Sequence, residues 1–156
     1  MPTNRRPLIA AGILMGAGMG GFVDGIVFHQ ILQWHNMLSS WLPPTTLVDA
    51  KVNMMWDGFF HASVWIMTIL GLGMLVRVAG RKDLPWSAQI FWGAWIAGWG
   101  LFNFVEGAID HLILGVHHVN EYAPSLLAYD LMFQASGALL LALGWSIIRF
   151  AATDST

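Results

Sequence analysis

A chain of 156 residues, 56% hydrophobic and 10% charged, is one small domain and too apolar for an ordinary soluble globule. The net charge of −2 gives no electrostatic basis for binding nucleic acid. Without cysteine there is neither a disulfide nor a thiolate ligand, so any metal must be held by imidazole, carboxylate, thioether, carbonyl or water.

Four apolar runs follow one another at approximately 8–33, 54–78, 88–114 and 124–150. Each is long enough for the roughly 20 helical residues that cross about 30 Å of hydrocarbon. The expected fold is all-α: an integral membrane four-helix bundle, a single transmembrane domain over 1–156. Arg5 and Arg6 precede the first run, as they would in a signal peptide. The run is too long for one, however, and carries Asp24 and His29. Its glycines in GAGMGG (16–21) lie mid-membrane and read as a small-residue helix contact, not a nucleotide loop. The connection 34–53 holds Pro43-Pro44 and has room for a short interfacial helix. The connection 79–87, with Gly80, Arg81, Lys82, Asp83 and Pro85, reads as a turn.

The first and third runs end in two copies of one polar signature. Residues 22–36 read FVDGIVFHQILQWHN and residues 104–118 read FVEGAIDHLILGVHH, a constant offset of 82. His29 matches His111, His35 matches His117, and Asp24 becomes Glu106. The helices that follow repeat too: MWDGFFHAS (55–63) pairs with AYDLMFQAS (128–136), setting Asp57 against Asp130 and His61 against Gln134. The chain therefore reads as two hairpin repeats, about 8–78 and 88–150, with a polar site between them.

Basic residues orient the hairpins. Arg5, Arg6, Arg77, Arg81, Lys82 and Arg149 fall on one side and Lys51 alone on the other. The positive-inside rule puts both termini in the cytoplasm of a bacterial inner membrane, with the polar signatures near the extracytoplasmic face. At roughly 100° per residue, Asp24, His35 and His29 share one flank of the first span, and Glu106, His117, Asp110, Asn103, His118 and His111 share one flank of the third. Asp57 and His61 lie four apart on the second span, as Asp130 and Gln134 do on the fourth.

A lone Asp or His inside a membrane is often a helix–helix hydrogen bond. Here five acids (Asp24, Asp57, Glu106, Asp110, Asp130) share one level with no Lys or Arg among them, and they need protons, histidinium or metal as compensation. The candidate ligands are Asp24, His29, His35, Asp57, His61, Glu106, Asp110, His111, His117 and His118. Asp130, Gln134 and Asn103 are expected as outer partners, since an amide ligates poorly and hydrogen-bonds well. Imidazole plus carboxylate suits copper, iron or zinc in a mono- or dinuclear site, and outer-face placement puts copper slightly ahead. A bis-histidine b-type haem between His29 and His111 is the weaker alternative, because a porphyrin wants an apolar pocket.

Nearly all of residues 10–150 resembles a family of four-span bacterial membrane proteins catalogued as domain of unknown function 2243. The resemblance rests on GFVDGIVFHQILQWHNM (21–37), MWDGFFHAS (55–63) and FVEGAIDHLILGVHHVNE (104–121). It implies an integral membrane protein and brings no established activity to these residues. Two functional classes follow from the residues themselves. One is a redox or oxygen-activating membrane enzyme with an open coordination position. The other is a metal-handling, transport or assembly protein, with a haem electron carrier as a further variant. The inner halves of the spans offer few polar groups, which favours a fixed site over a through-path. The lipid bilayer is the one partner the composition names; a homo-oligomer and a redox partner both stay open.

Overall fold

The computed structural model describes residues 4–84 and 86–153; Pro85 of the expected turn lies outside the described residues, as do both chain ends. The described chain is helical, with no strand. Helix α1 (Arg6–Val23) runs on as a π-helical segment, Asp24–Ile31, and α2 spans Leu47–Ala79. Helix α3 (Ala88–Glu106) likewise runs on as a π-helical segment, Gly107–Ile113, and α4 spans Leu126–Thr153.

Local chemistry sets these boundaries. Pro7 stands in the first turn of α1, where its missing N–H costs nothing. Thr46 caps α2: its hydroxyl oxygen accepts the Asp49 amide at 3.2 Å and its proton goes to the Asp49 carboxylate at 2.6 Å. This cap, just past Pro43-Pro44, starts α2 at Leu47, well before residue 54. The room expected for a separate interfacial helix is taken by turns and by the extended N-terminus of α2. Ser87 caps α3 through the Ile90 amide at 3.3 Å.

Three of the helices are long and apolar enough to cross a membrane: Arg6–Ile31, Leu47–Ala79 and Leu126–Ala151. Helix α3 is not among them, since Trp92, Trp95, Trp99 and its glycines add little hydropathy. Large apolar side chains nevertheless face outward on α3 as on the others, including Trp92, Leu101, Phe104 and Val105.

Helix α1 packs on α2 and α3, and α3 packs on α4. Among the described residues the backbones of α2 and α3 stay apart, as do those of α1 and α4, although side chains such as Phe60 and Phe102 meet across the first gap. The pair α1–α3 is therefore the spine, with α2 and α4 on opposite flanks. Reciprocal glycines make that spine close. A Cβ on Gly16 would strike the Trp95 carbonyl, and one on Gly98 would strike the Ile13 carbonyl. Ile13 and Trp95 are themselves repeat mates, so one local contact occurs twice across a pseudo-twofold axis. At one end of the spine lies an apolar cluster of Leu8, Val78, Ile90, Phe91 and Ala151. The polar signatures occupy the other end.

Candidate metal centre

The π-helical segments decide how the first acid and histidine of each repeat meet. At α-helical pitch, residues five apart point roughly 140° away from each other. A π-helical turn, bonded from i to i+5, stacks them instead. His29 Nε2 lies 3.2 Å from Asp24 Oδ2, and His111 Nε2 lies 3.0 Å from Glu106 Oε1. Both segments close through equivalent bonds: Leu32 N–H to the Val27 carbonyl and Leu114 N–H to the Ile109 carbonyl, each 2.8 Å. The chain then turns sharply through a left-handed residue, Gln33 at φ 51° and Gly115 at φ 56°. This turn, not a continued helix, brings in His35 and His117.

Four imidazoles converge in the middle. His35 and His117 stack in near-parallel rings 4.5 Å apart, on the pseudo-twofold axis. His29 sits 4.3 Å from His35, and His111 sits 4.9 Å from His117, ring centre to ring centre. All four are at most 2% exposed.

Their Nδ1 atoms are mostly anchored. His35 Nδ1 donates to the Val119 carbonyl at 2.8 Å, and His117 Nδ1 donates to the Met37 carbonyl at 3.0 Å. Met37 and Val119 are repeat mates, so each half's histidine is held by the other half's backbone. His29 Nδ1 lies 3.0 Å from Asp57 Oδ1, while His111 Nδ1 and Asp130 Oδ1 are 4.0 Å apart. A carbonyl cannot donate, so Nδ1 carries the proton in His35 and His117; the His35 Nε2 is left free, while the His117 Nε2 lies 3.3 Å from Glu106 Oε1. Burial, and then the neighbouring His117 and His29 rings, hold the His35 imidazole well below the usual histidine range, which favours that neutral form.

Several inward atoms are left without partners. His35 Nε2, His111 Nδ1, Asp24 Oδ1 and Glu106 Oε2 are buried and make no hydrogen bond, and the Nε2 atoms of His29 and His111 face only the Asp24 and Glu106 carboxylates. Such orphaned groups in a native interior call for an explanation. Two triads bring one ligand atom each within 4.8 Å of one another: His29, His35 and His117, and Glu106, His111 and His117. The histidine and carboxylate groups here can bind a metal.

Asp57 and Asp130 form the layer behind. Asp57 receives the Met37 amide at 2.8 Å and the Asn36 side chain at 2.9 Å. Asp130 receives the Val119 amide at 3.0 Å and His118 Nδ1 at 2.7 Å. His118 is thus placed beside Asp130, partly exposed, and is the mate of Asn36. Asn36 is absent from the candidates drawn from sequence, although its place opposite His118 in the repeat was the available signal.

His61 stands outside both triads. Its Nδ1 turns back to its own helix and donates to the Asp57 carbonyl at 2.7 Å. Its mate Gln134 donates to the Phe104 carbonyl at 3.1 Å, and the Gln134 and Asn103 amide oxygens are buried without partners. Asp110 is half-buried beside the cluster and also belongs to neither triad.

A family model described as "Predicted membrane protein (DUF2243)" matches residues 11–151. The chain belongs to this family. No curated protein and no solved structure matches it. Membership in DUF2243 makes the bilayer the setting in which the outward-facing Trp, Leu and Phe side chains are to be understood, and the buried acids as membrane-embedded groups.

Proposed function

We propose that this chain is an integral membrane metalloprotein that holds one or two transition-metal ions through His29, His35, His111, His117, Asp24 and Glu106. The observation that carries the reading is a set of buried imidazoles, with His35 Nε2 unpartnered and the Nε2 atoms of His29, His111 and His117 turned to carboxylates, converging on two unpartnered carboxylate oxygens. Backbone carbonyls fix the tautomer of His35 and His117, and Asp57 orients His29, which is how proteins prepare neutral imidazole for a metal. The pseudo-twofold arrangement offers each half an acid and two histidines, which suits a dinuclear site as well as a single shared ion. Asp57 and Asp130 act as orienting partners.

On this reading all four helices cross the bilayer, and the asymmetry of basic residues supports an extracytoplasmic position for this end. Copper ranks slightly ahead of iron and zinc on that ground, and the donor set without sulfur is compatible with all three. Redox or oxygen-activating chemistry is the favoured use, with metal handling as the alternative. A haem between His29 and His111 is disfavoured, because His35 and His117 fill the space between those two rings.

The competing explanation is a network of carboxylates and shared protons. Metal analysis and an optical spectrum of the purified protein separate the two: one or two ions per chain are expected, whereas metal-free protein of unchanged fold overturns the reading. Cysteines introduced at Ser40 and Ser125 should react with an impermeant thiol reagent in intact cells, while one at Gly80 should not. The reverse pattern would put the site on the cytoplasmic side.

A further inference from the structure

The two grooves left open between helices whose backbones stay apart are repeat mates that differ in two respects. Between α2 and α3 lies a cavity of about 390 Å³, lined by Ala17, Phe60, Leu101, Phe102, Glu106 and Asp110 among others. Between α1 and α4 lies its counterpart of about 220 Å³, lined by Trp99, Phe133, Asp24 and Phe28. The repeat sets Ala17 against Trp99, Glu106 against Asp24 and Asp110 against Phe28 at the offset of 82, and Phe60 against Phe133 in the helices that follow. An indole fills one groove where a methyl group leaves the other open, and the open groove alone has a second acid.

Glu106 joins that open groove to the histidines. Its Oε1 lies 3.0 Å from His111 Nε2 and 3.3 Å from His117 Nε2, while Oε2 has no partner and the residue is 8% exposed. The Asp110 carboxylate makes no hydrogen bond among the described residues. Apart from these acids the wall is apolar, with Phe60 and Phe102 rings 6.0 Å apart. Phe60 stacks on His29 at 5.5 Å with its ring nearly parallel.

We infer that the α2–α3 groove binds a lipid-soluble diphenol of the hydroquinone class, ring against Phe60 and Phe102, with a hydroxyl donating to Glu106 or Asp110. The groove opens where the helices face hydrocarbon, so the occupant has an apolar tail. The groove wall has two acids and no Lys or Arg, and the histidines take only Oε1 of Glu106, so the remaining carboxylate oxygens call for donors and disfavour a fatty acid or a phospholipid phosphate. A phenol stays neutral and donates, and its flat ring suits an aromatic wall. The inference rests on the metalloprotein reading for the use made of the ligand, not for its binding.

The test is saturation binding of a decyl-tailed benzohydroquinone, under anaerobic conditions, to the purified protein in detergent, with metal content measured on the same samples. One probe per chain should bind. Ala17→Trp, which copies the closed groove, should weaken binding at least about tenfold, and Leu101→Trp at the mouth should do the same if Ala17→Trp fails to fold. Asp110→Asn should weaken it by up to about tenfold, the scale of one charge-assisted hydrogen bond, and Trp99→Ala should leave it unchanged. Equal binding of decylbenzene, or undiminished binding in the folded tryptophan variants, overturns the proposal. Binding that Ala17→Trp blocks in metal-free protein would keep the groove and remove the metal. Metal-loaded protein indifferent to the probe would do the opposite.

Discussion

The two hairpins share their inner scaffold and differ at its edges. Asp24 and Glu106, His29 and His111, His35 and His117, and Asp57 and Asp130 occupy equivalent places and share most of their bonds, although Asp57 holds His29 more closely than Asp130 holds His111 and Glu106 alone also reaches the second histidine of its repeat. Asn36 faces His118, His61 faces Gln134, Phe28 faces Asp110 and Ala17 faces Trp99. A duplicated unit free to drift has kept what converges on the axis and altered what faces the rim. The lesson is that the axis holds the common chemistry, while the differences at the rim make one side an open groove.

If the axis is a shared site, damage to either half should cost the same. His29→Ala and His111→Ala should each lower metal content beyond the roughly 100-fold ceiling of outer-partner changes, because each leaves buried acids uncompensated. Metal analysis checks this, and a large loss in one variant with none in the other would break the symmetry. Asp57→Asn and Asp130→Asn should then weaken metal affinity about 10–100-fold, as expected for groups that orient ligands. Asp57 holds His29 at 3.0 Å whereas Asp130 is 4.0 Å from His111, so Asp57→Asn should be the more damaging. Competition with a chelator would rank the two.

Smaller effects should come from the rim. His61→Gln and Gln134→Ala should change metal stoichiometry less than about twofold, since outer-partner losses begin near tenfold and neither side chain reaches a triad. A tenfold loss in His61→Gln would return that histidine to the site. Least of all, Gly115→Ala should destabilise the fold by about 1 kcal/mol through its left-handed backbone, read as a lowered melting temperature. Its mate Gln33 already carries that cost.

Much of the centre was legible because it was written twice. The acid and first histidine of each repeat, and the aspartate of each following helix, stand at matching positions and on apolar helices where a charge has no bland purpose. The register between them was not legible. No residue type announces a π-helical turn, so an α-helical wheel spreads Asp24 and His29 to the two edges of one flank, about 140° apart, although the two are within 3.2 Å. The wheel also carried His35 and His117 on an unbroken helix, where a left-handed turn delivers them. His61 shares a face with Asp57 at helical spacing, and that pattern did not reveal that its ring closes onto the backbone of its own helix. The anchors at Met37 and Val119 are main-chain atoms, which side-chain identity cannot disclose. Thr46 and Asp49 signal the early start of α2, which hydropathy alone sets near residue 54.

The exchange of carbonyls between halves has a consequence for biogenesis. A nascent chain delivers its first hairpin to the membrane before the second is made, and at that stage His35 has no Val119 to fix its tautomer. Half a site cannot close. On the proposed metal-binding reading, premature capture of an ion during synthesis would therefore be loose and reversible, and a firm grip would arise only when the second hairpin docks and each half lends its backbone to the other.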